Sequence, residues 1–444
     1  MKLSYKRTIL VGLAFLSICS FWQMYDSVVP LILTKTFHMN KTFSGAIMAA
    51  DNVLALFLLP LFGSLSDRSH AKLGKRMPFI LFGTGCAIIL MNLLPLLDNS
   101  YAAGASTFKL VSFVVVLGLL LISMGVYRSP AVALMPDVTP KPLRSRANAV
   151  INLMGAVGGI LYLGVAAALY PNAKVEGLSH VNYQPLFLVV SAIMFVSVGI
   201  LLLTVREPKL TQENQALEKK HPEWNLASQD ASGREVLPAP VKKSLGFLLA
   251  SIALWFIGYN GVTTWFTTYV DAVMGQGLGG ASTCLLIATA GAIVSYIPIG
   301  AIASKLGRRR TILGGIVLLT CCFAAGYFLT TAFHAINAIM FVVFALVGVA
   351  WAAINVNSLP MVVEMCRGSD IGKFTGYYYT ASMAAQVVTP ILAGTLMQNL
   401  DYRVLFPYAA LFVALSFVTM LFVRHGDARA VPKKGLDAFE DMED

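Results

Sequence analysis

Three charged residues stand inside long apolar runs of this sequence: Asp26, Asp51 and Arg128. Each costs about 2.5–3.5 kcal/mol at the centre of a membrane span, so each marks a function by default. Two carboxylates and a guanidinium suit cation coupling. A carboxylate in a low-dielectric site can carry a proton, and a nearby arginine competes for it. Arrival of a solute that separates the arginine from its acid would then load the proton. The plainer reading is a permanent ion pair that only ties three helices together.

A second group is aromatic and amide-rich. Gln23 and Tyr25 flank Asp26 closely, and Gln23, Asp26 and Pro30 fall on one helical face. Asn52 follows Asp51. Further along come Trp255, Tyr259 and Asn260, then Trp351, Asn355 and Asn357. Aromatic faces with amides suit a sugar, which has apolar C–H faces and a rim of hydroxyls. The plainer reading is packing, with the amides as interhelical glue.

These residues need spanning helices to hold them. Hydrophobic residues make up 57% of the 444 and charged ones 12%, at a mean hydropathy of +0.72. Soluble chains carry about 25% charge. The composition therefore excludes a cytosolic enzyme and a secreted disulfide scaffold, and describes an all-α membrane protein. Runs of about 20 apolar residues predict twelve spans. They cover 9–34, 43–65, 77–97, 108–136, 147–170, 184–205, 245–270, 281–303, 311–331, 336–362, 374–398 and 403–423. On this reading Asp26 and Asp51 lie at similar depth, ~6 and ~5 Å outward of the middle of their spans.

With the N-terminus inside, 27 Lys and Arg fall in inside segments and 5 outside. That asymmetry places both termini in the cytoplasm of a plasma or inner membrane. It also explains the net charge of +11 without nucleic acid. Residues 1–205 form a first six-helix bundle, 206–243 a cytoplasmic linker, 244–424 a second bundle and 425–444 a solvated tail.

The halves repeat. Phe21-Trp22-x-x-Tyr25-Asp26 matches Trp255-Phe256-x-x-Tyr259-Asn260 at an offset of 234. GSLSDRSHAKLGKR (Gly63 to Arg76) matches GAIASKLGRRR (Gly300 to Arg310). Parallel six-plus-six repeats belong to transporters. Here the sequence resembles the major facilitator superfamily, whose loop signature is G-x-x-x-D-R-x-G-R-R. The first loop keeps Asp67-Arg68 with an insertion; the second departs at Ser304 and Lys305. The segments Tyr127 to Gly155 and Gly372 to Tyr379 resemble the glycoside–pentoside–hexuronide cation symporters and the sucrose/proton symporters.

The resemblance implies two pseudo-symmetric six-helix bundles. It implies that the first, fourth, seventh and tenth spans line a central cavity, and that acids on the first two spans and a site near the fourth carry coupling. It also implies cytoplasmic gating through Asp67 with Arg68 and Arg76. Asp137 and Glu364 end their spans beside Arg144 and Arg308, and join the same gating set. Ser304 cannot replace Asp67, so the halves are expected to lock asymmetrically.

The expected function is a secondary transporter: a proton-coupled sugar or glycoside symporter working by alternating access. Its partners are a small solute and the lipid bilayer. It needs no cofactor beyond the co-transported ion. Sodium coupling, or export of a sugar or small organic solute, are the alternatives. A membrane-embedded enzyme or receptor is remoter, because no nucleophile–base pair, nucleotide loop or metal spacing is visible. Green fluorescent protein fused after Asp444 should fluoresce in intact cells, and alkaline phosphatase fused there should be inactive. The reverse pattern would invert the topology.

Overall fold

The computed structural model describes residues 3–140, 143–175, 177–220, 238–333, 335–365 and 371–427. All twelve expected spans are helices long and apolar enough to cross a membrane, so this is a multi-pass membrane protein. The chain divides into two compact units. Unit 1 takes 1–40 and 50–224, and unit 2 takes 41–49 and 225–443, apart from the final residue.

Unit 1 contains α1 (Tyr5–Leu31), most of α2 (Lys41–Asp67), α3 (Met77–Ala103), α4 (Thr107–Val138) and α5 (Arg144–Leu169). After a single turn, α6 (Asn172–Val175), come α7 (Gln184–Thr204) and α8 (Glu207–Lys220). Beyond its Pro30, α1 continues through a wider turn, Ile32–Thr36. α1 packs on α5 and α7, and α3 on α4 and α7. Gly158 permits the first of these approaches. A Cβ there would meet the Leu16 carbonyl oxygen at 2.0 Å, and Ser20 Oγ instead donates to Gly158 O at 2.8 Å.

Unit 2 contains α9 (Ala239–Met274), α10 (Leu278–Leu306), α11 (Arg308–Ala332), α12 (Ala338–Val363), α13 (Ile371–Asn399) and α14 (Leu405–Leu421). The packing plan repeats: α9 on α13 and α14, α11 on α12 and α14.

The described part of the segment between the bundles is largely helical. Glu207–Lys220 is helical, and α9 already begins at Ala239, with Pro240 in its first turn, where a missing N–H costs nothing. The stretch 221–237 lies outside the described residues. The start of the expected tail is also built in. His425 Nδ1 lies 2.7 Å from Ser244 Oγ, and Asp427 caps a helix. Residues 428–444 lie outside the described residues.

Each unit uses an acid to close the motif loop. Glu207 is 2% exposed, and its carboxylate accepts from the backbone N–H of Lys75, Arg76 and Met77 at 2.6–2.9 Å. A helix N-terminus favours such an anion, since its first N–H groups lack partners. In unit 2, Asp427 accepts from Arg309 N at 2.8 Å, at the start of α11. Gly74 (φ +115°) and Gly307 (φ +92°) occupy the same place in the two loops. A side chain at either would collide with its capping acid, at 2.3 Å for Glu207 and 2.9 Å for Asp427.

Glu207→Ala strands three backbone donors, two of them buried, and should destabilise the protein by about 3 kcal/mol or more. Asp427→Ala loses one exposed bond and should cost about 1 kcal/mol. Thermal unfolding in a neutral detergent checks the order; equal losses would remove Glu207 from its special place.

Candidate functional site

In unit 1 the three charged residues come from α1, α2 and α4. The neighbours of Arg128 fix its height. Tyr127 is fully buried; its Oη donates to Ala14 O at 3.0 Å and lies 2.5 Å from Ser17 Oγ, which ties α4 to α1. Ser129 Oγ donates to Leu59 O at 2.6 Å, which ties α4 to α2.

Arg128 thus projects from a clamped segment. Its guanidinium carbon lies 5.8 Å from the centre of the Trp22 ring, close enough for a cation–π contact. Trp22, Asp51 and Arg128 line one small cavity. Asp51 is within electrostatic reach of both Arg128 and Asp26. Asn52 Nδ2 donates to Asp51 Oδ1 at 2.9 Å.

Among the described residues, no acid lies within 4.0 Å of Arg128 and no hydrogen bond occupies its donors. A permanent ion pair is therefore not what the structure holds. The arrangement is an open five-donor fork beside one carboxylate, Asp51, which in turn feels a second, Asp26. Two nearby carboxylates repel when both are ionised, and one proton or small cation relieves them. Trp22 Nε1 is also buried without a partner. Gln23 is half-buried beside it, whereas Tyr25 is 1% exposed and packs edge-on to Trp22 at 5.5 Å.

In unit 2, Tyr259 of α9 stacks on Trp351 of α12, with centroids 3.7 Å apart and planes 4° from parallel. Phe256 meets Trp351 edge-on at 5.3 Å. Asn355 is one helical turn from Trp351. Its Oδ1 and the Asn260 Nδ2 are both buried without a partner. Burying a polar atom unmet costs about 1–3 kcal/mol, so these atoms await water or a ligand. Trp255 is fully buried and its Nε1 is likewise without a partner, whereas Asn357 folds back to donate from Nδ2 to Ala353 O at 2.9 Å.

The loop-end charges form braces inside each unit. Arg76 bonds to Asp67, to Ser66 Oγ at 2.5 Å and to Asp137 Oδ2 at 2.8 Å. It therefore joins the ends of α2 and α4 at the start of α3. Burial opposes its charge, but Asp137 and then Asp67 outweigh burial and hold its pKa above the usual arginine value. Arg68 is exposed and is not the partner of Asp67. Arg144 Nε donates to Thr139 O at 3.1 Å.

Unit 2 has its own brace, Arg308 to Glu364 at 2.8 Å. The expected asymmetry narrows accordingly. Ser304 bonds only its own helix, to Ala301 O, yet α11 and α12 are still joined.

Sequence reasoning passed over Trp22, Glu207 and Asp427. Val205-Arg206-Glu207 and Val423-Arg424 followed by Asp427 both close a six-span half, and that repeat was the available signal. It also passed over Asp98, which is fully buried with His180 Nε2 3.7 Å away.

The family model described as Major Facilitator Superfamily matches residues 11–332 and 280–440. The sucrose transport protein SUC3 of Arabidopsis thaliana is 31% identical over 161 residues, 33% of this chain and 27% of that protein. The MFS-type transporter ppzB of Metarhizium rileyi is 28% identical over 136 residues, 30% of this chain and 27% of that protein. The chain spans less than a third of the length of these curated relatives. Among solved structures, the nucleoside transporter NupG superposes with a TM-score of 0.63 at 15% identity, covering 95% of this chain and 100% of that one. A bacterial homologue of the human drug peptide transporters PepT1 and PepT2 gives 0.65 at 14%, covering 95% and 98%. At such identity these likenesses speak for the fold alone.

Arg128→Lys should impair solute transport nearly as much as Arg128→Ala, each by about tenfold or more, because a lysine cannot reproduce a planar two-point contact. Initial uptake rates check this; full activity of Arg128→Lys would show that only the charge is used.

Proposed function

The chain belongs to the major facilitator superfamily, and from that premise we propose a proton-coupled symporter of a sugar or glycoside that works by alternating access. The family and the relatives it matches are transporters, not enzymes. The observation that carries the finer reading is Arg128. It has open donors beside Asp51, with Asp26 in electrostatic reach of that acid.

The sequence of events follows from that geometry. Solute hydroxyls occupy the Arg128 fork and withdraw its positive charge from Asp51. The two acids then repel more strongly and take up a proton. The loaded cluster carries no excess negative charge, so the cost of its passage through the low-dielectric state falls. Inward proton movement supplies about 2.3 kcal/mol per charge per 100 mV.

A sugar is favoured over other solutes by the flat Tyr259–Trp351 face with unmet amide atoms at Asn260 and Asn355. Relatives described as sucrose transport proteins support the same class. The basic motif loops and the charge asymmetry support a plasma or inner membrane with both termini cytoplasmic.

Purified protein in liposomes tests the proposal. An imposed inward proton gradient should drive accumulation of a labelled sugar or glycoside, with acidification of the lumen. Accumulation driven only by sodium, or no sugar accumulation at all, would overturn it. Asp26→Asn and Asp51→Asn should each abolish gradient-driven accumulation while sparing exchange of labelled for unlabelled solute. Uphill transport by both variants would remove these acids from coupling.

A further inference from the structure

The first turn of α1, the end of α7 and the first turn of α8 enclose a cavity of about 330 Å³ in unit 1. Four cations line it: Lys6, Arg7, Arg206 and Lys209. One acid, Glu213, shares the lining. Among the described residues, Lys6, Arg7 and Arg206 have no ion pair or side-chain hydrogen bond. Lys209 reaches Glu213 only at 4.0 Å, in a largely exposed pair.

Charges spread over a membrane-facing loop need no ligand. These converge on one concavity from α1, α8 and the segment between α7 and α8, and Glu213 is the one lining acid that offsets their mutual repulsion. We propose that this cavity binds the phosphate headgroup of an anionic phospholipid.

The phosphate is chosen because two guanidinium groups and two ammonium groups match a tetrahedral anion with several acceptor oxygens. The lipid source is chosen from the surroundings. Thr204 is both a lining residue and the last residue of its span, so the cavity sits at the membrane boundary. Leu203 beside it is 82% exposed, and Ile9 on α1 is 43% exposed. Acyl chains can lie along these side chains while the headgroup occupies the cavity. The lower wall is itself apolar, with Leu10 and Leu210.

Occupancy would have a structural consequence. Arg206 precedes Glu207, the acid that closes the α3 loop, and α8 also donates from Asn214 Nδ2 to Asp137 O at 3.1 Å. A bound lipid therefore pins α8 to the bilayer at the point where α8 braces α3 and α4. This proposal needs the membrane-spanning fold and stands whatever the transported solute is.

The test uses the full chain in a neutral detergent, with native mass spectrometry and thermal unfolding read together. Dioleoylphosphatidylglycerol should bind one copy tightly and raise the melting temperature, and dioleoylphosphatidylcholine should do neither. Arg7→Gln with Arg206→Gln should weaken phosphatidylglycerol binding about tenfold or more. Lys219→Gln with Lys220→Gln, at the far end of α8, should leave it unchanged. If the arginine pair fails to fold, Lys6→Gln with Lys209→Gln serves in its place. Unchanged binding in the cavity variants, or equal binding of phosphatidylcholine, would overturn the site. Equal stabilisation by millimolar inorganic phosphate would overturn the lipid assignment.

Discussion

An arginine carried inside an apolar helix without an ion-pair partner is the constraint around which unit 1 is built. Leaving Arg128 in place costs free energy that a permanent partner would offset. The fold instead spends packing on holding it still. Tyr127 and Ser129 lock the backbone on either side of it to α1 and α2. At the loop end, Arg76 joins α2 and α4, the helices that carry Asp51 and Arg128, through Asp67 and Asp137. The separation of acid and base is thereby set from both ends. An unpaired charge held beside Asp51, with Asp26 in reach of that acid, leaves donors open for another occupant.

The two units solve the same problem of helix ends with different strengths. In unit 1, Glu207 takes three backbone donors and is buried, and the brace above it uses two acids on one arginine. In unit 2, among the described residues, Asp427 takes one backbone donor, and Arg308 pairs with Glu364. The site residues differ in the same direction. Asp26 in the first repeat becomes Asn260 in the second, and unit 2 offers an aromatic face in place of charge. Those substitutions support the proposed division, with ion chemistry in one repeat and apolar recognition in the other.

Much of this was legible in the sequence, and what was missed has a physical reason. Twelve spans could be read because a bilayer demands about 20 apolar residues in a row. Asp26, Asp51 and Arg128 stood out because charge is rare there. Tyr259 and Trp351 were named separately, but their stacking depends on how α9 packs beside α12. The capping acids were hidden because a cap is recognised by what it touches. Glu207 meets residues about 130 positions earlier in the chain, and from sequence alone it begins a polar linker. Asn357 differs from its neighbours: its Nδ2 donates to Ala353 O of its own helix.

The central claim is that solute at Arg128 drives proton uptake at the neighbouring acids. Calorimetric titration of the purified protein with the sugar proposed as its solute, repeated at one pH in buffers of different ionisation enthalpy, measures that directly. The account predicts net proton uptake on binding by the native protein and none by Asp51→Asn, with sugar still bound. Sugar binding with no exchange of protons by the native protein would contradict it.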